Sequence, residues 1–356
     1  MTQKNNELAL VEMGCGDQDR LVIAGPCSAE TEEQVMTIAH QVSRNPAVNI
    51  FRAGVWKPRT RPNCFEGNGV KALPWLQRVK RETGLPVAVE VARAEHVEQA
   101  LAHDVDHLWI GARTTVNPFA VQEIAESLRG ADTPVWVKNP INPDPGLWLG
   151  ALERLNAAGV TRLGAIHRGF STSEKGRYRN APRWELAMKL RRQAPDLPMI
   201  NDPSHITGKR DLLGEVSEKA LEMGMDGLMI ETHHQPEQAW SDAAQQLTPK
   251  ALEGLLDALP KKEKSTVQED GLLSALRGEI DDLDRAMLEL ISRRNHVAAR
   301  IGDVKKHSRM SIVQPARRKE LMEDRMAQAT SMGLNRDIIA QIYHCLHDHA
   351  VAVQCS

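Results

Sequence analysis

From Leu21 onward one rhythm repeats eight times: a short run rich in β-branched and apolar residues, then an amphipathic helical pattern, with Gly, Pro or Asn at the joints. The strand-like runs are Leu21–Ala24, Asn49–Ala53, Pro86–Val91, His107–Ala112, Pro134–Lys138, Arg162–His167, Pro198–Asn201 and Gly227–Glu231. Helical patterns fall between and after them at Glu33–Ser43, Val70–Glu82, Phe119–Leu128, Leu147–Ala158, Trp184–Gln193, Leu212–Met223 and Pro249–Leu259. Gly84, Gly130, Gly159 and Gly224 supply stop signals. Eight strand–helix units in about 240 residues predict an α/β chain closed as a (β/α)8 barrel. A doubly wound sheet is the alternative, but eight regular units without a long excursion favour closure.

Residues 260–270, PKKEKSTVQED, break the rhythm and read as a polar linker between a barrel at 1–259 and a helical domain at 271–356. Leu276, Ile280, Leu283, Met287, Leu290, Val297, Ile301 and Val304 form a seam with alternating spacings of four and three. So long and regular a seam asks for a partner helix, and predicts a small three-helix domain that dimerises. Pro315 opens the second helix, to about Thr330, and Asn335 caps a third with Ile338, Ile342, Leu346 and Ala350 on its apolar face.

Charge sets limits on partners. Lys and Arg number 45 against 47 Asp and Glu, so nothing draws the whole chain to nucleic acid or an anionic membrane. The Arg-rich tail is balanced by acids and has only Tyr343 for stacking, which argues against nucleic acid there too. The start, MTQKNNELAL, lacks a basic segment followed by an apolar core, and no apolar run approaches the ~20 residues of a membrane helix. Cys15, Cys27, Cys64, Cys345 and Cys355 are odd in number and scattered, which suits free thiols in the cytoplasm.

In a (β/α)8 barrel the chemistry lies at the C-terminal ends of the strands. The first run, in LVIAGPCSAE, delivers Cys27. The second delivers Lys57 and Arg59 in WKPRT, the fourth Arg113, the fifth Lys138, the sixth His167 and Arg168, the seventh Asp202 and His205, and the eighth Glu231, with Asp242 further on. Cys27, His205, Glu231 and Asp242 form a mixed S, N and O donor set for a divalent transition metal, Mn²⁺, Fe²⁺, Co²⁺ or Zn²⁺ rather than Mg²⁺ or Ca²⁺. Lys57, Arg59, Arg113, Lys138 and Arg168 form a cationic set, and cations at one barrel mouth mean substrates rich in phosphate and carboxylate.

GPCS, KPRT, GAR, VKNP, HRG, DPSH and the final E…SD, in this order over residues 20–260, resemble 3-deoxy-D-arabino-heptulosonate 7-phosphate (DAHP) synthase, in particular its compact, type I-beta-like members. The resemblance implies condensation of phosphoenolpyruvate with erythrose 4-phosphate. It makes Cys27, His205, Glu231 and Asp242 ligands of one divalent metal, with Mn²⁺ the first choice. Arg113, Lys138 and Arg168 then hold phosphoenolpyruvate, His167 is a further substrate-binding residue, Arg59 and Thr60 meet erythrose 4-phosphate, and Lys57 is the candidate for proton transfer. The rival is the related synthase that uses arabinose 5-phosphate, against which Cys27, Pro58, Arg59 and Thr60 all argue.

In the tail, Arg294 sits at an apolar seam position and needs an anionic partner. Lys305, eleven residues on, returns to within about 20° of the same face, whereas Arg277 lies about 100° away and could reach a partner chain's pocket. Residues 272–356, opening with LRGEIDDLDRAMLELISRR, resemble the all-helical chorismate mutases, which are intertwined homodimers. The resemblance implies rearrangement of chorismate to prephenate by Arg294, Lys305 and Gln354, with Arg277 reaching in from the other protomer and Arg317 a further site residue. Gln314 and Arg318 depart from the usual Asp and Glu, which bears on efficiency. A bifunctional enzyme with feedback by prephenate or chorismate through the tail is therefore expected. A synthase with a catalytically weak, sensing tail is the alternative; a mere oligomerisation coil would gain nothing from Arg294 and Lys305.

Overall fold

The computed structural model describes residues 8–10, 20–58, 64–172, 176–260 and 268–355. Eight parallel strands close into a barrel in sequence order, β1 (Leu21–Gly25), β2 (Ile50–Arg52), β3 (Val87–Val91), β4 (His107–Ile110), β5 (Val135–Lys138), β6 (Leu163–His167), β7 (Met199–Asn201) and β8 (Gly227–Glu231). Closure is direct, since Ile23 of β1 is in register with both Ile50 of β2 and Met229 of β8. All eight expected runs are strands.

Side chains alternate across each strand, so one set fills the barrel and the other packs outward against the helices. The inner set is Leu21, Ile23, Ile50, Ala88, Trp109, Trp136, Ile166, Ile200 and Met229. The outer set, with Val22, Phe51, Val89, Leu108, Val137 and Leu228 among it, joins the helices in the larger core. The inner plug is the floor on which the barrel mouth stands.

The helices start where local chemistry permits. Thr31 caps Glu32–Val42 by accepting from the Gln34 amide, and Asn117, Asp144 and Thr248 cap later helices that each carry Pro in the first turn. Several short elements are unexpected, two of which bear on the site or its support. A helix at Ala94–Ala102, with only Val97 and Ala100 buried, has too sparse a stripe to stand out by pattern. The fourth run ends at Ile110, and a short helix, Ala112–Thr115, carries Arg113.

His107 opens β4 at 7% exposure, and Nδ1 has no hydrogen-bond partner among the described residues. Burial pulls its pKa down to about 4, and does the same to the fully buried His167. Unfolded histidine titrates near 6.5, so between about pH 6.5 and 4 the unfolded chain takes up protons that the folded chain refuses, and stability falls as pH falls. At full protonation each group is worth about 3 kcal/mol. We expect the urea midpoint to drop between pH 7 and 5, with a shallower slope in His107→Gln; equal slopes would rule His107 out as a source of the acid lability.

Contacts divide the chain near residue 276. The C-terminal helices are Gln268–His307, Pro315–Ser331 and Arg336–Cys355, so the first takes in the last three residues of the expected linker, of which 261–267 lie outside the described residues. Asn335 Oδ1 accepts from the amides of Asp337 and Ile338, as a cap should. Among described residues 277–355 only Ala298, Gly302, Ala329, Ala350 and Gln354 are buried. Ile280, Leu283, Met287, Leu290, Val297, Ile301 and Val304 are 44–63% exposed in the single chain, so the seam lacks cover within it. The side chain of Leu276 lies outside the described residues.

Candidate active sites

The barrel mouth is built one pleat above the plug. Two residues past an inner plug residue, the same strand row carries Arg52 after Ile50, Glu90 after Ala88, Lys138 after Trp136, Arg168 after Ile166, Asp202 after Ile200 and Glu231 after Met229. The hydrophobic period thus aims six polar groups at one place.

Trp109 is the floor of this mouth. The Arg52 guanidinium lies 4.9 Å from the centroid of its ring and Lys138 Nζ 5.8 Å, and its indole N–H donates to Glu90 Oε2 at 3.2 Å. Lys138 Nζ donates to Asp202 Oδ2 at 2.7 Å, with both side chains buried. Asp202 also accepts from the His205 amide through Oδ1 and contacts His205 Nδ1 at 2.8 Å. Burial alone would raise the Asp202 pKa, but His205 and Lys138 hold it well below the usual carboxylate range. Arg168 is buried, and burial lowers its pKa to about 10, helped by the charges of Arg179 and Arg113. Arg113 is exposed and close enough to Arg168 to be felt.

Cys27, Glu231 and Asp242 each offer a donor atom within 4.8 Å of the others. Cys27 Sγ lies 3.3 Å from Asp242 Oδ2 and receives a hydrogen bond from Lys57 Nζ at 3.1 Å; the same ammonium donates to the Cys27 carbonyl at 2.8 Å. Glu231 Oε1 is buried, takes no hydrogen bond among the described residues, and faces Arg52 Nη2 at 3.3 Å and His205 Nε2 at 3.7 Å. Burial and the Glu231 charge push the Cys27 thiol up to about 12 against the pull of Lys57. Burial lowers the Lys57 pKa, but Cys27, Glu231 and Glu90 outweigh it and leave the ammonium above its ordinary value. For Asp242 burial is overcome by Arg179, His205 and Lys57, which keep the carboxyl ionised. A buried sulfur that would ligate as thiolate, two ionised carboxylates with one oxygen left without a hydrogen bond among the described residues, and an imidazole backed by a carboxylate fit a divalent transition ion.

The structure therefore brings together Cys27, Lys57, Lys138, Arg168, His205, Glu231 and Asp242, with Arg113 at their edge. Arg59 and Thr60 lie outside the described residues. His167 requires correction. It has the opposite parity to Arg168, so its ring points into the helix layer, 4.9 Å from the ring of Trp184, with Nε2 at 2.5 Å from the Pro182 carbonyl. Arg52 and Glu90 escaped sequence reasoning, although their place in the inner row was a usable signal.

In the helical unit, Lys305 Nζ donates to Gln354 Oε1 at 3.0 Å and to the Ile312 carbonyl at 2.7 Å. The contact depends on Gly302, where a Cβ would come within 2.9 Å of Gln354 Cα. Arg294 donates to the Leu346 carbonyl at 2.6 Å. Arg277 is exposed and Arg317 is paired with Glu320 at 2.6 Å; neither is hydrogen-bonded to the Lys305–Gln354 pair. Arg318 lies 3.3 Å from Asp348 Oδ1, and Gln314 stands at the N-cap of its helix without a side-chain capping bond.

A parallel barrel with such a mouth belongs to the enzymes that grip small, multiply anionic substrates at the strand ends. Residues 2–268 match the DAHP synthetase I family and residues 276–355 match chorismate mutase type II. The phospho-2-dehydro-3-deoxyheptonate aldolase of Thermotoga maritima is 33% identical over 243 residues, which cover 67% of this chain and 69% of that protein. The 2-dehydro-3-deoxyphosphooctonate aldolase of Polaromonas naphthalenivorans is 27% identical over 275 residues, covering 70% and 92%. A solved structure of the Thermotoga DAHP synthase superposes with a TM-score of 0.62 at 30% identity, covering 70% of this chain and 72% of that one. The chain belongs to the DAHP synthetase I family and carries a type II chorismate mutase domain after its barrel. It is a bifunctional enzyme of the shikimate pathway, a 3-deoxy-7-phosphoheptulonate synthase and a chorismate mutase.

Proposed function

We propose that the barrel joins phosphoenolpyruvate to erythrose 4-phosphate through the groups converging on Trp109. The observation that carries this reading is the convergence of Cys27, Glu231 and Asp242 beside the buried cations Arg52, Lys138 and Arg168. Cys27, His205, Glu231 and Asp242 would hold the divalent ion, Mn²⁺ being our first choice. When bound, the ion supplies Lewis-acid polarisation of the aldehyde oxygen. Lys138, Arg168 and Arg113 bind the phosphate and carboxylate of phosphoenolpyruvate. Arg52 joins them, because its Nε and Nη1 are buried and take no partner among the described residues. Arg59 and Thr60 meet the sugar phosphate. C3 of phosphoenolpyruvate attacks the aldehyde carbon, Lys57 delivers a proton to the oxygen, water adds at C2, and phosphate leaves with C–O cleavage. The buried cations do their work by positioning and by compensating charge in a site with a dry floor.

In the helical unit Lys305 and Gln354 stabilise the ether oxygen of chorismate while Arg294 binds a carboxylate. Arg277 comes from a second copy, and Arg317 adds a further contact. The exposed seam supports a homodimer, since the buried residues of one helical unit are nearly all small. Prephenate or chorismate bound there is proposed to restrain the barrel. No helix of the described residues is long and apolar enough to cross a membrane, and together with the free thiols this supports a cytoplasmic setting.

Metal removal tests the barrel reading. Stripping the protein with a chelator is expected to abolish phosphate release from phosphoenolpyruvate and erythrose 4-phosphate, while leaving chorismate loss intact. Mn²⁺ should restore the first. Full condensation in metal-free buffer would take the ion out of the mechanism.

A further inference from the structure

Two adjacent buried glutamines, Gln245 and Gln246, sit where the loop after β8 returns past the donor cluster. Gln245 Nε2 donates to Glu231 Oε2 at 2.6 Å, and its Oε1 accepts from Arg179 Nη1 at 2.8 Å. The same Arg179 nitrogen donates to Asp242 Oδ1 at 2.9 Å. Gln246 Oε1 accepts from the Cys27 amide at 3.0 Å, and its Nε2 donates at 2.8 Å to the carbonyl of Ser241, the residue before Asp242. All three clustered donors are therefore tied to one dipeptide.

We infer that Gln245, working with Arg179, is a positioning residue that fixes the separation and presented edges of Glu231 and Asp242, and so sets how tightly the barrel mouth holds a divalent cation. The inference rests on reading the cluster as a cation site. Two ionised carboxylates this close repel one another unless each is restrained. Here Glu231 Oε2 and Asp242 Oδ1 are engaged from outside, which leaves Glu231 Oε1 toward His205 and Arg52 and Asp242 Oδ2 toward Cys27. The amide orientation follows from the neighbours: its N–H₂ faces a carboxylate and its carbonyl faces a guanidinium. Glutamate would set a third carboxylate against Glu231, and an apolar residue would strand a buried oxygen. Arg179 reaches the site along Gly208, whose φ is +66° and where a Cβ would lie 2.7 Å from Arg179 Cβ; the bare backbone makes room for its stem.

The test uses the full-length, metal-stripped protein titrated with Co²⁺, read by the thiolate-to-cobalt charge-transfer absorption. Gln245→Met keeps the volume and removes both hydrogen bonds. It should weaken Co²⁺ binding 10–100-fold while leaving the absorption at saturation unchanged, and added metal should recover most of the condensation rate. Arg179→Gln, at a residue 44% exposed, should shift affinity in the same direction with no change in melting temperature, and decides the matter if Gln245→Met does not fold. Arg179→Lys should recover part of the loss. Wild-type affinity in both variants, with the absorption present, overturns the brace alone. Absence of the absorption in the wild type removes the cation site and the brace with it.

Discussion

Lys138→Met is expected to destroy condensation and to destabilise the barrel at once. The ammonium is buried against Asp202, at 2.7 Å, and above the face of Trp109. Removing one member of a buried ion pair leaves an uncompensated charge and typically destabilises by ~3–5 kcal/mol. Losing a preorganised cation from a dry site slows turnover by a further factor of about 10²–10³. The two effects separate in the double variant Lys138→Met, Asp202→Asn. Neutralising the stranded carboxylate should return part of the lost stability, because asparagine can still accept from the His205 amide. Activity should stay lost. Denaturant midpoints and phosphate release read the two quantities, and recovery of activity in the double variant would show that Lys138 is structural only.

Lys305→Met is expected to slow chorismate rearrangement by at least about 10² while leaving condensation in the barrel unchanged. An ammonium has three N–H donors. Two are engaged, one by Gln354 and one by the Ile312 carbonyl, which aims the third. The rearrangement needs no nucleophile or general base, so charge placed beside the breaking ether bond is most of what a protein can contribute. Melting temperature should move little, since methionine fills the same volume. Chorismate loss at the wild-type rate would leave the helical unit with a different pocket, or none.

Much of this was legible because the barrel repeats its own logic. Apolar runs with turn residues at their ends placed all eight strands, and Cys27, Glu231 and Asp242, whose donor atoms lie within 4.8 Å of one another, come from parts of the chain that the strand-end reading draws together. What escaped notice did so for local reasons. Arg52 and Glu90 lie inside strand runs rather than after them, so a search past the last apolar residue steps over both. His167 reads as a mouth residue because it adjoins Arg168 in HRG, yet adjacent strand residues face opposite sides, and it lies among Trp148, Phe170 and Trp184. That Arg294 also reaches the Leu346 carbonyl could not be read, because a backbone carbonyl has no sequence signature. Gln245 ends a single 3-10 turn, Ala243–Gln245, and Gln246 follows it, a stretch too short to show a period, and only its folded return past Cys27 reveals them.

The strict in-and-out order of the strands also constrains how such a chain can change length. Each of six strands sets its polar group two positions beyond the plug, at about 3.3 Å of rise per residue. An insertion of one residue between plug and rim would swing that group out of the mouth entirely, into the helix layer. Inserting a pair would preserve the facing and lift the group by roughly 7 Å. Lengthening in odd steps is therefore lethal to chemistry here, whereas even steps only displace it, and the loops beyond the rim are where variation in any number can accumulate.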